Sequence, residues 1–285
     1  MKIRFRRSEI LLIAYFAYTS VLACTLQLRA PIPIVTVGIN VLIVAGLLLL
    51  AAVEGQGGSA LLLGLRGFLP LPLVLLAYRE MGWFAQPMGS HDLENSWITL
   101  DRVVLPVIQP AIEFFGPLIP SVLEMAYSLA SPTPLVAVIL LTAMKRQDRL
   151  DAFWFSFLLG AFMSYSLFPY FPSEPPRIIF PLDNVPGFNT MFRQFNFDML
   201  SGYGIHTSVF PSAHVSAEFG AAIGLWSALP NRRWLWGSFL VLACLITVAT
   251  VYGRYHYVVD ALAGLTVSVV TLGITLCLKK WWKPE

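Results

Sequence analysis

The chain has 285 residues, 57% of them hydrophobic and 12% charged, with a formal net charge of +3 and a mean hydropathy of +0.70. Soluble domains carry roughly 25% charged residues, so this composition excludes a water-soluble globule and makes the bilayer the main solvent. The small positive excess does not mark a nucleic-acid binder, because in a polytopic protein the placement of charge says more than its sum.

A helix crossing a hydrocarbon core of about 30 Å needs roughly 20 apolar residues. Eight runs meet that length between polar or Pro/Gly breaks: Ile10 to Leu28, Ile34 to Val53, Ala60 to Ala77, Met125 to Met144, Ala152 to Phe171, Ser212 to Leu229, Trp234 to Tyr252 and Tyr257 to Leu278. The first follows a basic N-terminal stretch as in a signal peptide, but it is long and lacks a small-residue cleavage site, so it reads as a span. The expected fold is all-α, a polytopic helical membrane protein with about six to eight transmembrane helices. The three cysteines, Cys24, Cys244 and Cys277, lie inside apolar runs without paired or metal-type spacing and read as buried packing residues.

Positive segments stay cytoplasmic. Lys2, Arg4, Arg6 and Arg7, then Lys145, Arg146 and Arg149, then Arg232 and Arg233, then Lys279, Lys280 and Lys283 all fall on one side with eight spans. Both termini are therefore expected in the cytoplasm; the Glu54 to Gly58 turn on that side is silent. Two long segments fall opposite, Tyr78 to about Glu124 and Pro172 to Phe210. The first, with His91, Asp92, Asp101 and then Pro106, Pro110 and Pro117, reads as helices lying in the interface at about residues 80–120. The second, rich in Pro, Phe and Asn, is long for an unstructured connection, and such loops are commonly functional or disordered.

All four histidines, His91, His206, His214 and His256, fall on the non-cytoplasmic side. His91 and His206 read as ordinary interfacial residues. In Gly-Arg-Tyr-His256-Tyr-Val-Val-Asp260, a helix would put His256 and Asp260 on one face, where the carboxylate orients the imidazole as a nucleophile. An acidic residue near the start of a membrane span is a functional hypothesis by default. The bland alternative is a carboxylate favoured by the helix dipole. In Phe210-Pro-Ser212-Ala-His214, Ser212 is a plausible helix cap, and a helix start that binds an anion would have His214 beside it as proton donor.

Arg177 ends Phe168-Pro-Tyr-Phe-Pro-Ser-Glu-Pro-Pro-Arg177, whose prolines stiffen the exit from the fifth span, and arginine grips phosphate in a planar fork. Arg254 is a second candidate for the same anion, placed before the helix that carries Asp260. A nucleophile with an orienting acid, a second histidine, two arginines and a helix start make up a phosphoryl-transfer set acting through a phosphohistidine on His256. No Gly-rich nucleotide loop is present.

At these residues the sequence resembles the type 2 phosphatidic acid phosphatase superfamily, and most of all its branch containing the inositol phosphorylceramide synthases of the Aur family. Pro172-Ser-Glu-Pro-Pro-Arg177, Phe210-Pro-Ser-Ala-His214 and Tyr252-Gly-Arg-Tyr-His256-Tyr-Val-Val-Asp260 resemble its three motifs, in order and at span ends. The resemblance implies a helical core, no required metal or other cofactor, His256 as nucleophile, Asp260 as its partner, His214 as acid, and Ser212 with Arg177 around the phosphate. The superfamily's usual Ser-Arg before the nucleophile is here Ala249-Thr250, so one phosphate-binding arginine is missing, and the first motif lacks its opening lysine. The implied organisation is an N-terminal half, 1–150, of spans and interfacial segment, and a helical core of phosphatase or phosphotransferase type, 151–285. The implied partners are a lipid phosphate or phospholipid substrate, membrane lipids and an alcohol or inositol-type acceptor, with no nucleic acid. Two other readings use the same residues: a metal-dependent membrane hydrolase with His214, His256 and Asp260 as ligands, and a non-enzymatic lipid transporter or scaffold.

Overall fold

The computed structural model describes residues 5–54, 60–86, 89–205, 207 and 209–279. Within them the apolar runs fold as α-helices and no strand occurs, because a backbone in hydrocarbon satisfies its own polar groups only in a helix or a closed barrel. Five helical stretches are long and apolar enough to cross a bilayer: α1 (Arg7–Thr25), α2 (Ile32–Glu54), Gln147–Tyr170, α12 (Arg233–Tyr252) and Val258–Leu278. The third contains α8 (Leu150–Leu167) and the last is the body of α13 (Val258–Lys279). A sixth crossing results if α5 (Asp92–Glu113) and α6 (Leu118–Leu129), bent by 112°, count as one broken span. The bend falls at Gly116, whose φ of +65° suits glycine.

Three predicted runs differ from single crossing helices. Ala60 to Ala77 breaks at Leu69 into α3 (Ala60–Phe68) and α4 (Pro70–Phe84), since Pro70 has no N–H to continue the ladder. Met125 to Met144 divides around Pro132 between α6 and α7 (Thr133–Ala143). The run from Ser212 becomes α11 (Ala213–Ala228), of 16 residues, roughly 24 Å long at 1.5 Å per residue and short of the hydrocarbon thickness. It packs on α7, α8, α12 and α13. The connection from Pro172 to Phe210 holds two helices, α9 (Pro176–Ile179) and α10 (Met191–Tyr203).

The cysteines are a correction. Cys24, Cys244 and Cys277 are exposed, on α1, α12 and α13. An apolar run does not distinguish a lipid-facing position from a core-facing one, because both surroundings are apolar.

The seam between α8 and α11 is built from small residues, the means by which membrane helices approach closely without a hydrophobic drive between them. A Cβ on Gly220 would stand 2.7 Å from the Ser156 carbonyl oxygen, and one on Gly160 2.4 Å from that of Ser216. Ser164 and Ser216 share a hydrogen bond of 2.8 Å across the seam.

One end of the bundle gathers the helix termini that carry basic residues. Ser8 donates to Asp151 from its amide at 2.9 Å and from its hydroxyl at 2.7 Å, and Arg7 donates to the Leu278 carbonyl at 3.3 Å. Arg66 is buried there between Glu9 and Glu54. Lys2, Arg4, Lys280, Lys283 and residues 55–58 of the neighbouring turn lie outside the described residues. The opposite end holds the exit of α8, α9, α10, the start of α11 and the connection between α12 and α13.

Candidate functional site

His256 lies in that last connection. The chain leaves α12 through Gly253 and turns at Arg254, whose φ is +62°. The amides of Tyr255 and His256 then donate back to the Thr250 carbonyl at 3.0 and 2.9 Å. The imidazole is 5% exposed, and its Nδ1 lies 2.9 Å from the Val209 carbonyl oxygen. A carbonyl only accepts, so Nδ1 carries the proton and Nε2 presents its lone pair.

This arrangement corrects the expectation that a helix carries His256 and Asp260 on one face. α13 begins at Val258, after His256. Asp260 accepts the Tyr257 amide at 2.8 Å, as a carboxylate in a first helical turn does. Its Oδ2 stands 3.4 Å from His256 Nδ1, farther than the Val209 carbonyl. The tautomer is therefore set first by backbone, with the buried Asp260 carboxyl as a second neighbour.

Ser212 caps α11 as expected, its hydroxyl accepting the Val215 amide at 3.4 Å. His214 follows in the first turn, and its ring lies 5.7 Å from that of His256, centre to centre. Tyr127 of α6 sits 4.9 Å from the His214 ring and stacks on Tyr255 at 3.9 Å. The starts of α11 and α13 are tied together: the Ser212 amide donates to the Asp260 carbonyl at 3.0 Å, and a Cβ on Gly264 would stand 2.7 Å from the Ser212 carbonyl oxygen.

Three guanidinium groups gather at this end, and the charge of one of them, Arg177, reaches both histidines. Arg177 donates from its backbone to the Arg254 carbonyl at 3.3 Å, lies over the Tyr255 ring at 5.6 Å, and has no carboxylate in ion-pair reach among the described residues. Arg254 is 2% exposed and binds Asp101 of α5 through Nη1. Arg193 of α10 binds Glu124 of α6 at 2.8 Å and the Gly253 carbonyl at 3.2 Å. All three line a cavity of about 390 Å³ with Asp183, Asn189 and Gln194 among its other walls; neither histidine is among them, so the cavity adjoins the histidine pair only through the arginines.

The sequence reading did not find Arg193, Glu124 or the partnership of Asp101. Glu124 is 1% exposed and accepts from Arg193, from Asn196 Nδ2 at 2.8 Å and from the Tyr255 hydroxyl. A charged residue inside an otherwise apolar helix was the available signal, but its partners lie 69 to 131 positions away in the chain. His91 stands apart from the histidine pair in its contacts, with Nδ1 3.9 Å from both Glu94 and Glu174. His206 lies outside the described residues. His214, His256 and Asp260 do not form a three-donor set, and no group of three His, Cys, Asp or Glu side chains suited to a metal occurs among the described residues.

Burial first, then the charges of His214 and Arg177, hold the His256 imidazole neutral well below its ordinary range, against the opposing pull of the Val209 carbonyl. Neutral imidazole is the form with a free Nε2 lone pair, while burial and then the Arg177 charge push the neighbouring His214 down to about 4. A rate that needs His256 neutral and His214 protonated should therefore rise as pH falls from 8 toward 5, with no loss of activity centred on the usual histidine value of about 6.5. Folding stability behaves differently. Below about pH 6.5 the unfolded chain takes up a proton that the buried ring refuses, so stability should begin to fall there. Initial rates and thermal midpoints measured across pH 5 to 8 check both expectations. An activity limb centred near 6.5 would contradict the first.

These features define a polytopic helical membrane protein with a buried histidine pair and several arginines at one rim. Residues 99–274, more than half of the chain, match the PAP2 superfamily, and the chain belongs to that superfamily. A PA-phosphatase related-family protein of Dictyostelium discoideum is 29% identical over 131 residues, which is 44% of this chain and 23% of that relative. The match thus spans less than a quarter of the relative's length. No solved structure matches the chain at a significant level.

Proposed function

We propose that the protein is a membrane lipid phosphatase or phosphotransferase that works through a phosphohistidine on His256. The reading is carried by the meeting of His256, His214 and an unpaired Arg177 at the capped start of α11. His256 Nε2 attacks phosphorus, the bond from phosphorus to the lipid or headgroup oxygen breaks, and His214 gives that oxygen its proton. Water or an alcohol, losing its proton to His214, then attacks the phosphohistidine and restores His256. Arg177, Arg254 and the α11 amides near Ser212 offset the charge on the phosphoryl oxygens. Asp260 steadies the imidazolium that forms on attack.

The catalytic unit is proposed as the core from residue 151 onward, completed by Asp101 and Glu124 from the N-terminal half. The cavity lined by Arg193, Asn189 and Gln194 favours one refinement, transfer of a phospho-headgroup to an alcohol, as in the inositol phosphorylceramide synthase branch. A bare phosphate would leave most of its roughly 390 Å³ unfilled. The basic positions that meet at the opposite end, Arg7 and the loop before Asp151, favour cytoplasmic termini and a site facing the other side.

The test is an assay of the purified protein in detergent with chelator present, following phosphate release and headgroup exchange with added alcohol across lipid phosphates and phospholipids. Chelator-insensitive turnover is expected, with exchange products distinguishing transfer from hydrolysis. Turnover abolished by chelator would replace this reading with the metal-dependent one.

A further inference from the structure

The superfamily's usual arginine before the nucleophile is absent, with Thr250 in its place, yet the site has a guanidinium with an unusual feature. Arg254 is buried, and its Nε and Nη2 have no hydrogen-bond partner. Buried donors left unsatisfied cost about 1–3 kcal/mol each, so two on one side chain call for an oxygen acceptor from bound water or a ligand. Nη1 is held by Asp101. Nε and Nη2 together form the edge of the guanidinium whose two N–H bonds run parallel, the edge that grips a carboxylate or phosphate with two oxygens at once. Asp101 thus occupies the one nitrogen outside that edge and leaves both nitrogens of the fork unpaired.

Asp101 also fixes where the fork stands. Its other oxygen accepts the Val258 amide at 2.8 Å, so a single fully buried carboxylate from α5 holds the chain two residues before and two residues after His256. The Arg254 backbone is in the left-handed region, which keeps its side chain off the helix that follows.

We propose that Asp101 is a positioning residue that aims the Nε/Nη2 edge of Arg254 at the phosphoryl group bound by His256, so that Arg254 binds the anion in place of an arginine at position 250. This inference rests on the proposed function. Removing the Asp101 charge frees the guanidinium to turn and weakens oxyanion binding without touching the nucleophile.

Orthovanadate, a phosphate mimic that accepts a histidine nitrogen, reports on this directly by ⁵¹V NMR titration of the full chain in detergent, independently of turnover. Asp101→Asn and Arg254→Lys should each weaken vanadate binding about tenfold or more, the scale of a charge-assisted hydrogen bond. The double variant should be no weaker than the weaker single, because the two residues act as one unit. Asp101→Asn keeps an acceptor for the Val258 amide but strands the buried Arg254 charge, so its unfolding midpoint should fall, and vanadate is titrated well below that midpoint, where the variant is folded. Vanadate binding unchanged in Asp101→Asn, or effects that multiply in the double variant, would overturn the inference alone. A parent protein that does not bind vanadate would overturn it together with the phosphohistidine reading.

Discussion

Replacing His256 with alanine should reduce turnover by about 10⁴- to 10⁶-fold, the range seen when a covalent nucleophile is removed from an intact site. The side chain is buried and donates to the Val209 carbonyl, so the variant also strands that acceptor at about 1–3 kcal/mol, well short of the roughly 5–8 kcal/mol that the rate loss represents. The same substitution should remove the acid-labile, base-stable phosphate that the parent retains when mixed with radiolabelled substrate and quenched in alkali. His214→Ala should differ in kind. A general acid contributes about 10²- to 10⁴-fold, and only where the leaving oxygen needs a proton. Read on the phosphorylation step in a single turnover, ahead of the water attack that also passes a proton to His214, the defect should therefore be large on an alkyl phosphate and much smaller on p-nitrophenyl phosphate, whose phenolate leaves unaided. Equal defects on both substrates would remove His214 from the role of acid, and label retained by His256→Ala would remove His256 from that of nucleophile.

Glu124→Ala should be the most destabilising single change at this end of the bundle. One carboxylate there accepts from Arg193, Asn196 and Tyr255, and the side chains of Glu124 and Arg193 are 2% and 8% exposed. Removing one partner of a buried ion pair strands the other charge, at a cost of about 3–5 kcal/mol. The effect reaches the site by two routes, through Arg193 to the Gly253 carbonyl and through Tyr255 to the Tyr127 ring beside His214. Thermal unfolding in detergent should show a much lower midpoint for Glu124→Ala, a smaller decrease for Glu124→Gln, and partial recovery when Arg193→Met accompanies Glu124→Ala. Absence of recovery would mean that the carboxylate acts mainly through Asn196 and Tyr255.

Much of this molecule is legible in its amino-acid order. Composition required a membrane protein, and the lengths of the apolar runs gave eight candidates that include the five crossing segments, because both follow from the cost of placing polar groups and unpaired backbone in hydrocarbon. Local spacing gave the Ser212 cap and set Arg254 before its helix, since a cap or turn involves only neighbouring residues. The motif residues Arg177, His214 and His256 were named from their immediate surroundings alone.

What the sequence left open depended on distance or direction. The tautomer of His256 rests on Val209, 47 residues away, and not on the Asp260 spacing that drew attention first. Asp101 and Arg254 lie 153 residues apart, and Glu124 and Arg193 69, and no periodicity relates such partners. Nor did apolar sequence reveal that Cys24, Cys244 and Cys277 face outward while α11 lies within the bundle. A membrane helix meets apolar surroundings on every side, so hydrophobicity reports that a segment is in the membrane but not which face meets protein. That choice belongs to the close fit of small residues such as Gly160 and Gly220 and to buried charges that must find one another, and both exist only once the chain has folded.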